Sequence, residues 1–309
     1  MSRKVQKPET PQYTMLLENY HKHTGIVGYS ENGRKIKYSN TAEFLVWLEN
    51  EGITNISKVQ PHHIKEYYEY LKNRPHKKQE GVLSLKTITS HMRSIRVFFS
   101  WLQESGTIIT NPMSTLKFSY PKSDKKPRTV LTIPEIKELY RATETLQEKA
   151  ILSLAYGCGL RSMEVTAVNL DDIKLNDGIL IVPKGKGNKR RVIPTNRKIE
   201  QDLKNYIDNE RYLYLKNDNE KALILNIKGD RMRKYTIRKI LGKIITRTEN
   251  QTIIDKKISI HNLRHSIATH LLEQGVPVEQ VRNFLGHTHL ETTEIYTRIS
   301  QQQLKSLMD

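Results

Sequence analysis

Six side chains stand along this chain in an order that could act on a phosphodiester. They are Arg161, Lys186, His261 with Arg264 three positions on, His287, and Tyr296, thirteen residues before the end. A guanidinium offers a planar fork that grips phosphate oxygens bidentately. A tyrosine hydroxyl can attack phosphorus and become covalently attached. Its ordinary pKa is about 10, so it needs cationic neighbours or a base to act near neutrality. Two guanidiniums, an ammonium and two imidazoles around a phenol would run such a transfer without a metal.

Each segment also has a plainer reading. In Gly157-Cys-Gly-Leu-Arg161 the glycines let the backbone turn tightly and approach a ligand, and Arg161 opens a helix whose free N–H groups favour an anion. A helix corner with an exposed arginine would look the same. Lys186 lies between Gly185 and Gly187 at a hairpin tip, without the spacing of a phosphate-binding P-loop. Such a tip can carry a lysine into a groove or simply be a charged turn. His261 and Arg264 share one helix face and can meet one phosphate. That helix continues through Ile267, Ala268, Leu271 and Leu272, which read as a buried stripe. His265 follows His261 by four, but the glutamate of a His-Glu-x-x-His site is missing and no Cys or Asp cluster adds ligands, so no metal is expected. Gly286 reads as a helix end ahead of His287. Tyr296, near the last helix, could equally be a packed aromatic.

The chain that must position these groups has 309 residues, enough for two domains. It carries 51 Lys+Arg against 33 Asp+Glu, a net charge of +18, which suits a polyanionic partner through counterion release. A Lys-rich soluble protein would share that excess. With Cys158 alone no internal disulfide forms, and a reducing compartment is expected. No apolar leader and no run of roughly 20 apolar residues stands out, so the expectation is a cytoplasmic, nucleoid-associated protein that uses no membrane.

Residues 1–118 read as helical. Ser39-Asn40-Thr41 is expected to cap a helix carrying Phe44, Leu45, Trp47 and Leu48. Gln60-Pro61 opens another, with Ile64, Tyr67, Tyr68 and Leu71 inside. Ser84 starts a long helix with the stripe Ile88, Met92, Ile95, Phe99 and Leu102. Lys86, Ser90 and Arg93 lie off that stripe, facing either a DNA groove or water. Residues 119–128 hold two prolines and the basic Lys125, Lys126 and Arg128, and read as a linker that could lie along phosphates. Thr132-Ile-Pro-Glu135 is a capping box. Helices are expected to about Ala142 and from Leu146 to Tyr156, broken by Gly157 and Gly159. A β-hairpin should span 178–194 around Lys184-Gly-Lys-Gly-Asn188, and mostly helix should follow Arg197.

Taken together, Gly159-Leu-Arg-Ser-x-Glu164, Gly185-Lys-Gly-Asn-Lys189, His261-x-Leu-Arg-His-Ser-x-Ala-Thr-His-Leu-Leu272, and Leu285-Gly-His287 followed by Thr292-Thr-x-x-Tyr296 resemble the tyrosine recombinase (phage integrase) family, and within it the Xer-type bacterial recombinases. The resemblance covers nearly the whole chain; over the N-terminal half it is one of pattern only. It implies a mainly α fold: a four-helix, SAM-like core-binding domain over 1–118, the linker 119–128, and over 129–309 an α-rich catalytic domain with a small antiparallel β-sheet or hairpin. With so few residues ahead of Gln12, a further arm-binding domain is not expected.

The resemblance also implies roles. Arg161 and Arg264 would hold the non-bridging oxygens, Lys186 would protonate the leaving 5′-oxygen, and His261 would act as base for the tyrosine or assist proton shuttling. His287 would bond the phosphate, Tyr296 would attack, and Glu164 would support the geometry. Neither cofactor nor ATP is implied. The expected partner is double-stranded DNA with paired recombination sites, gripped by a C-shaped clamp. A homotetramer, or a heterotetramer with a second recombinase, would assemble there, and an accessory protein is a further partner to test for. Leu304, Leu307 and Met308 would dock a tail helix into a neighbouring copy. The alternatives are type IB topoisomerase-like relaxation and a non-catalytic DNA-binding regulator. The sequence leaves open the DNA site, and whether the role is chromosome-dimer resolution, mobile-element integration or inversion.

Overall fold

The computed structural model describes residues 6–75, 80–118, 129–182 and 190–286. The chain divides into two compact units, Met1–Lys125 and Lys126–Asp309.

The first unit contains α1 (Pro11–Ile26), α2 (Glu31–Asn50), α3 (Pro61–Asn73) and α4 (Leu85–Glu104). Helix α2 packs on α1 and α4, and α3 packs on α4. The stripe expected on α4 is buried throughout, and Ser84 caps the helix by accepting the Thr87 N–H. On α3, Ile64, Tyr67 and Leu71 are buried while Tyr68 is half-buried. The core is a nest of rings. Phe44 meets Tyr67 at 4.9 Å and Phe99 at 5.9 Å, and Tyr20 meets Phe98 edge-on at 5.1 Å. Full burial of each such side chain stabilises by about 1.5–3 kcal/mol.

One expected boundary is wrong. Helix α2 starts at Glu31 with Ser30 as its cap, so Ser39-Asn40-Thr41 lies in mid-helix. Asn40 and Thr41 are buried, and Asn40 Nδ2 donates to Ser94 Oγ at 3.0 Å and Ser90 Oγ at 3.4 Å on α4. Cap-type residues were used here for a cross-helix polar contact. Ser90 is therefore half-buried and engaged with α2, whereas Lys86 and Arg93 are exposed.

The second unit begins with α5 (Ile133–Arg141), closed by the Thr132–Glu135 capping box, then α6 (Leu146–Leu152) and α7 (Ser162–Ala167). Between α6 and α7 the helix widens into a π-turn over Ser153–Gly157. Its signature is the Cys158 N–H bonding five residues back to Ser153 O at 2.9 Å. Strands β1 (Ile173–Lys174), β2 (Ile179–Val182) and β3 (Arg191–Pro194) form an antiparallel sheet in chain order. The hairpin is thus part of a three-stranded sheet; the two-residue β1 is too short to register as a sequence pattern. Then come α8 (Arg197–Asn209), α9 (Arg211–Tyr214), α10 (Lys234–Arg247), α11 (Gln251–Asp255), α12 (Ile260–Glu273) and α13 (Val278–Phe284).

Helix α12 packs against the π-turn, burying Leu263, Ile267 and Leu271. Leu272, expected in that stripe, is 42% exposed. A helical step of about 100° carries it past the edge of the buried face. Cys158 is fully buried, and burial pushes its thiol up to about 12, leaving a neutral interior group. No described helix is long and apolar enough to cross a membrane.

Candidate active site

Arg161 stands as the N-cap of α7, immediately after the π-turn and Gly159. Gly159 has φ +58°, and a Cβ there would lie 3.0 Å from Leu285 Cδ2 and 3.1 Å from Phe284 Cε1. Among the described residues the close approach this glycine permits is therefore to the end of α13. Glu164 folds back on the start of α7. Its carboxylate accepts the Arg161 N–H at 2.9 Å and Arg161 Nη1 at 2.8 Å. The Arg161 N–H is thus already taken by a carboxylate, while the guanidinium remains 19% exposed.

Arg264 comes from the other side, on α12. The helix start is held by Asn262, whose side chain accepts from Ser259 N and Oγ and donates to Thr129 O. That frame sets His261 exposed in the first turn and Arg264 buried one turn on. Arg264 Nη1 donates to Gly159 O at 2.6 Å, and Nη2 donates to Leu285 O. One guanidinium thereby ties the segment leading into Arg161 to the segment leading into His287. Its Nη1 lies 3.7 Å from Glu164 Oε2.

A third guanidinium completes the cluster. Arg191 on β3 binds Glu164 fork to fork, Nη1 to Oε1 at 2.9 Å and Nη2 to Oε2 at 2.7 Å. Sequence reasoning missed it, although the alternation of Arg191-Val192-Ile193 carried the signal. Strand side chains alternate faces, so a buried Ile193 puts Arg191 inside too.

Electrostatics follow from the packing. Burial alone would raise the Glu164 carboxyl. The hydrogen bonds and charge of Arg191, then the N–H and guanidinium of Arg161, outweigh it and hold the group at about 2. Burial, followed by the charges of Arg161 and Arg191, lowers Arg264 to about 9 against the pull of Glu164, so it stays cationic at neutrality. Three guanidiniums on one carboxylate leave a cationic surplus that an anion would offset.

The structure brings Arg161, Glu164 and Arg264 together, with His261 on the exposed start of α12. Lys186, His287 and Tyr296 lie outside the described residues, as do Lys125, Lys126, Arg128 and the tail with Leu304, Leu307 and Met308. Val182 and Arg191, paired across β2 and β3, flank the segment containing Lys186. Among the described residues, no three of His, Cys, Asp and Glu gather as a metal would require.

The phage integrase family matches residues 129–303. Tyrosine recombinase XerD of Staphylococcus haemolyticus is 30% identical over 94% of this chain and 96% of its own. Tyrosine recombinase XerC of Pelotomaculum thermopropionicum is 32% identical over 75% of this chain and 76% of its own. In fold, the chain is similar to the Tn1549 transposon integrase in complex with transposon right end DNA, with a TM-score of 0.67, 21% identity, and 94% and 99% of the two chains covered. It is likewise similar to the XerH site-specific recombinase bound to its difH substrate, with a TM-score of 0.62, 23% identity, and 94% and 82% covered. With the motifs in order, the helical fold with its small sheet, and this identity along nearly its whole length, the chain belongs to the phage integrase family and is a tyrosine site-specific recombinase, an enzyme of DNA recombination.

Proposed function

We propose that Tyr296 attacks the scissile phosphate while Arg161 and Arg264 grip its non-bridging oxygens. The Tyr296 oxygen bonds to phosphorus as the bond to the 5′-oxygen breaks, leaving a 3′-phosphotyrosine and a 5′-hydroxyl. His261 takes the tyrosine proton, Lys186 delivers one to the departing oxygen, and His287 hydrogen-bonds the phosphate. Attack by a second strand's 5′-hydroxyl reverses the step. The phosphodiester's free energy is kept in the tyrosyl bond, so rejoining draws on neither ATP nor a metal. Charge builds on the equatorial oxygens in the transition state, where preorganised cations act most strongly. The observation that carries this reading is the convergence of Arg161 and Arg264, from separate helices, around the carboxylate of Glu164.

The substrate is double-stranded DNA with paired sites, joined by a tetramer of this chain alone or with a second recombinase. Residues 1–118 act as the core-binding domain, with the exposed Lys86 and Arg93 of α4 toward DNA and Ser90 beside them held by Asn40 of α2. The linker 119–128, through Lys125, Lys126 and Arg128, lies along phosphates ahead of the catalytic domain, 129–309.

The test is covalent capture. The protein is incubated without divalent metal with nicked duplexes carrying a random-sequence core, and SDS-resistant adducts are collected. Wild type yields adducts whose sequencing gives the site, and Tyr296→Phe yields none while still binding the recovered duplex. An adduct that persists in Tyr296→Phe would remove Tyr296 as nucleophile. Mixing recovered duplexes of two lengths then reports the tetramer as a complex holding both.

A further inference from the structure

We propose that Arg191 is a positioning residue of this active site: it saturates Glu164, and so keeps Arg161 and Arg264 turned toward the phosphate. The inference rests on the reading that those two arginines form the phosphate grip.

Arg191 is fixed on three sides. It occupies an inward position of β3, on the same face as Ile193, and its side chain is only 5% exposed. A Cβ added to Gly286 would meet Arg191 Cδ at 2.8 Å, Nη1 at 3.1 Å and Nε at 3.2 Å, so the guanidinium lies tightly against the backbone just before His287. Its two terminal nitrogens bind both Glu164 oxygens, a pairing that removes the carboxylate's rotational freedom.

A carboxylate has roughly four acceptor sites. On Glu164, Oε1 accepts from Arg191 Nη1 and Arg161 Nη1, and Oε2 accepts from Arg191 Nη2 and the Arg161 N–H. The capacity is full. Arg264 is held at 3.7 Å from the nearer oxygen, on the carbonyls of Gly159 and Leu285. Without Arg191, two acceptor sites open on a buried anion beside two cations. Arg161, which now reaches Glu164 through Nη1, then adds its second terminal nitrogen, or Arg264 closes from 3.7 Å, and Glu164 competes with the DNA phosphate for the same guanidinium. Arg191 shields the grip from its own support.

The test uses the full chain and a duplex recovered by covalent capture. It measures duplex affinity, single-turnover cleavage at saturating duplex, and Tm. Arg191→Met should leave affinity within about twofold and slow cleavage about 100-fold, the scale of a misplacement of about 1 Å in a reacting group. The double variant Arg191→Met/Glu164→Gln should cleave about tenfold faster than Arg191→Met, because an amide no longer draws the guanidiniums away. A merely structural role predicts that the double variant regains cleavage only in step with Tm; recovery that tracks Tm, or no recovery, overturns the proposal, as does wild-type cleavage by Arg191→Met. Should Arg191→Met fail to fold, Arg191→Lys carries the test. Its single ammonium keeps the charge but loses the fork, so it should cleave about tenfold slower while its Tm, though lowered, stays above the assay temperature; a wild-type rate overturns the proposal. Arg161→Ala separates the two levels. If it cleaves normally, the phosphate-grip reading falls; if it is inactive while the Arg191 variants are normal, only the role of Arg191 falls.

Discussion

The interiors of the two units are made of different material. The first is ring against ring: Tyr13, Tyr20, Phe44, Tyr67, Phe98 and Phe99 are all fully buried. The second has an aliphatic core into which charges are set, including Glu164, Arg191 and Arg264, each nearly fully buried. An aromatic interior gains most of its stability from area removed from water and tolerates no gap. Buried ions cost desolvation and return it only when every partner is in place, so they are weak evidence for stability and better evidence for geometry. The first unit is built to hold a shape and the second to hold charges in position.

That contrast can be broken most severely at the grip. Arg264→Lys keeps the charge but loses the fork, and should slow single-turnover cleavage about 1000-fold. Near-normal cleavage would mean that the buried guanidinium serves stability alone. In the aromatic unit, Phe99→Ala should cost about 3–5 kcal/mol in a denaturant titration. Hydrogen-exchange protection should fall in α1–α4 and hold in α12; equal loss in both would show that the interiors are not independent.

Acid sharpens the comparison. The folded-state pKa of Glu164 is depressed from 4.5 to about 2. Its stabilising contribution is therefore complete above the ordinary carboxylate range and lost as pH falls through about 2. Tm of wild type should drop over that window more than Tm of Glu164→Gln, which starts lower and stays flatter; parallel curves would contradict the assigned charge. Smaller effects probe polar detail. Asn40→Ala, which leaves Ser94 without its α2 partner, should cost about 1–2 kcal/mol by thermal melt. Leu272→Lys, on exposed surface, should stay within about 0.5 kcal/mol.

Local chemistry made much of the fold readable. The Ser84 cap and the 3–4 spacing from Ile88 to Leu102 specify α4 without help from the rest of the chain, and Thr132 with Glu135 does the same for α5. Where partners are distant in sequence, reading failed. Asn40 looks like a cap because its use depends on Ser94 of another helix. Strand β1 has two residues and exists only through its pairing with β2. At the site, Arg161 and Arg264 were legible as residue types at suggestive positions. That one carboxylate joins them, and that Arg191 is its main partner, was not.

What the sequence determined by itself is what nearest neighbours dictate: the helical stripes, their caps, the hairpin, and the ordered set of cations and phenol that marks the family. The tertiary structure decided which charges meet. It widened the π-turn ahead of Arg161, set Gly159 against Leu285, and turned Arg191 inward onto Glu164. The reason is range. A cap or a stripe is decided over a few residues, whereas a buried ion is tolerable only once segments far apart in the chain have closed around it and satisfied it.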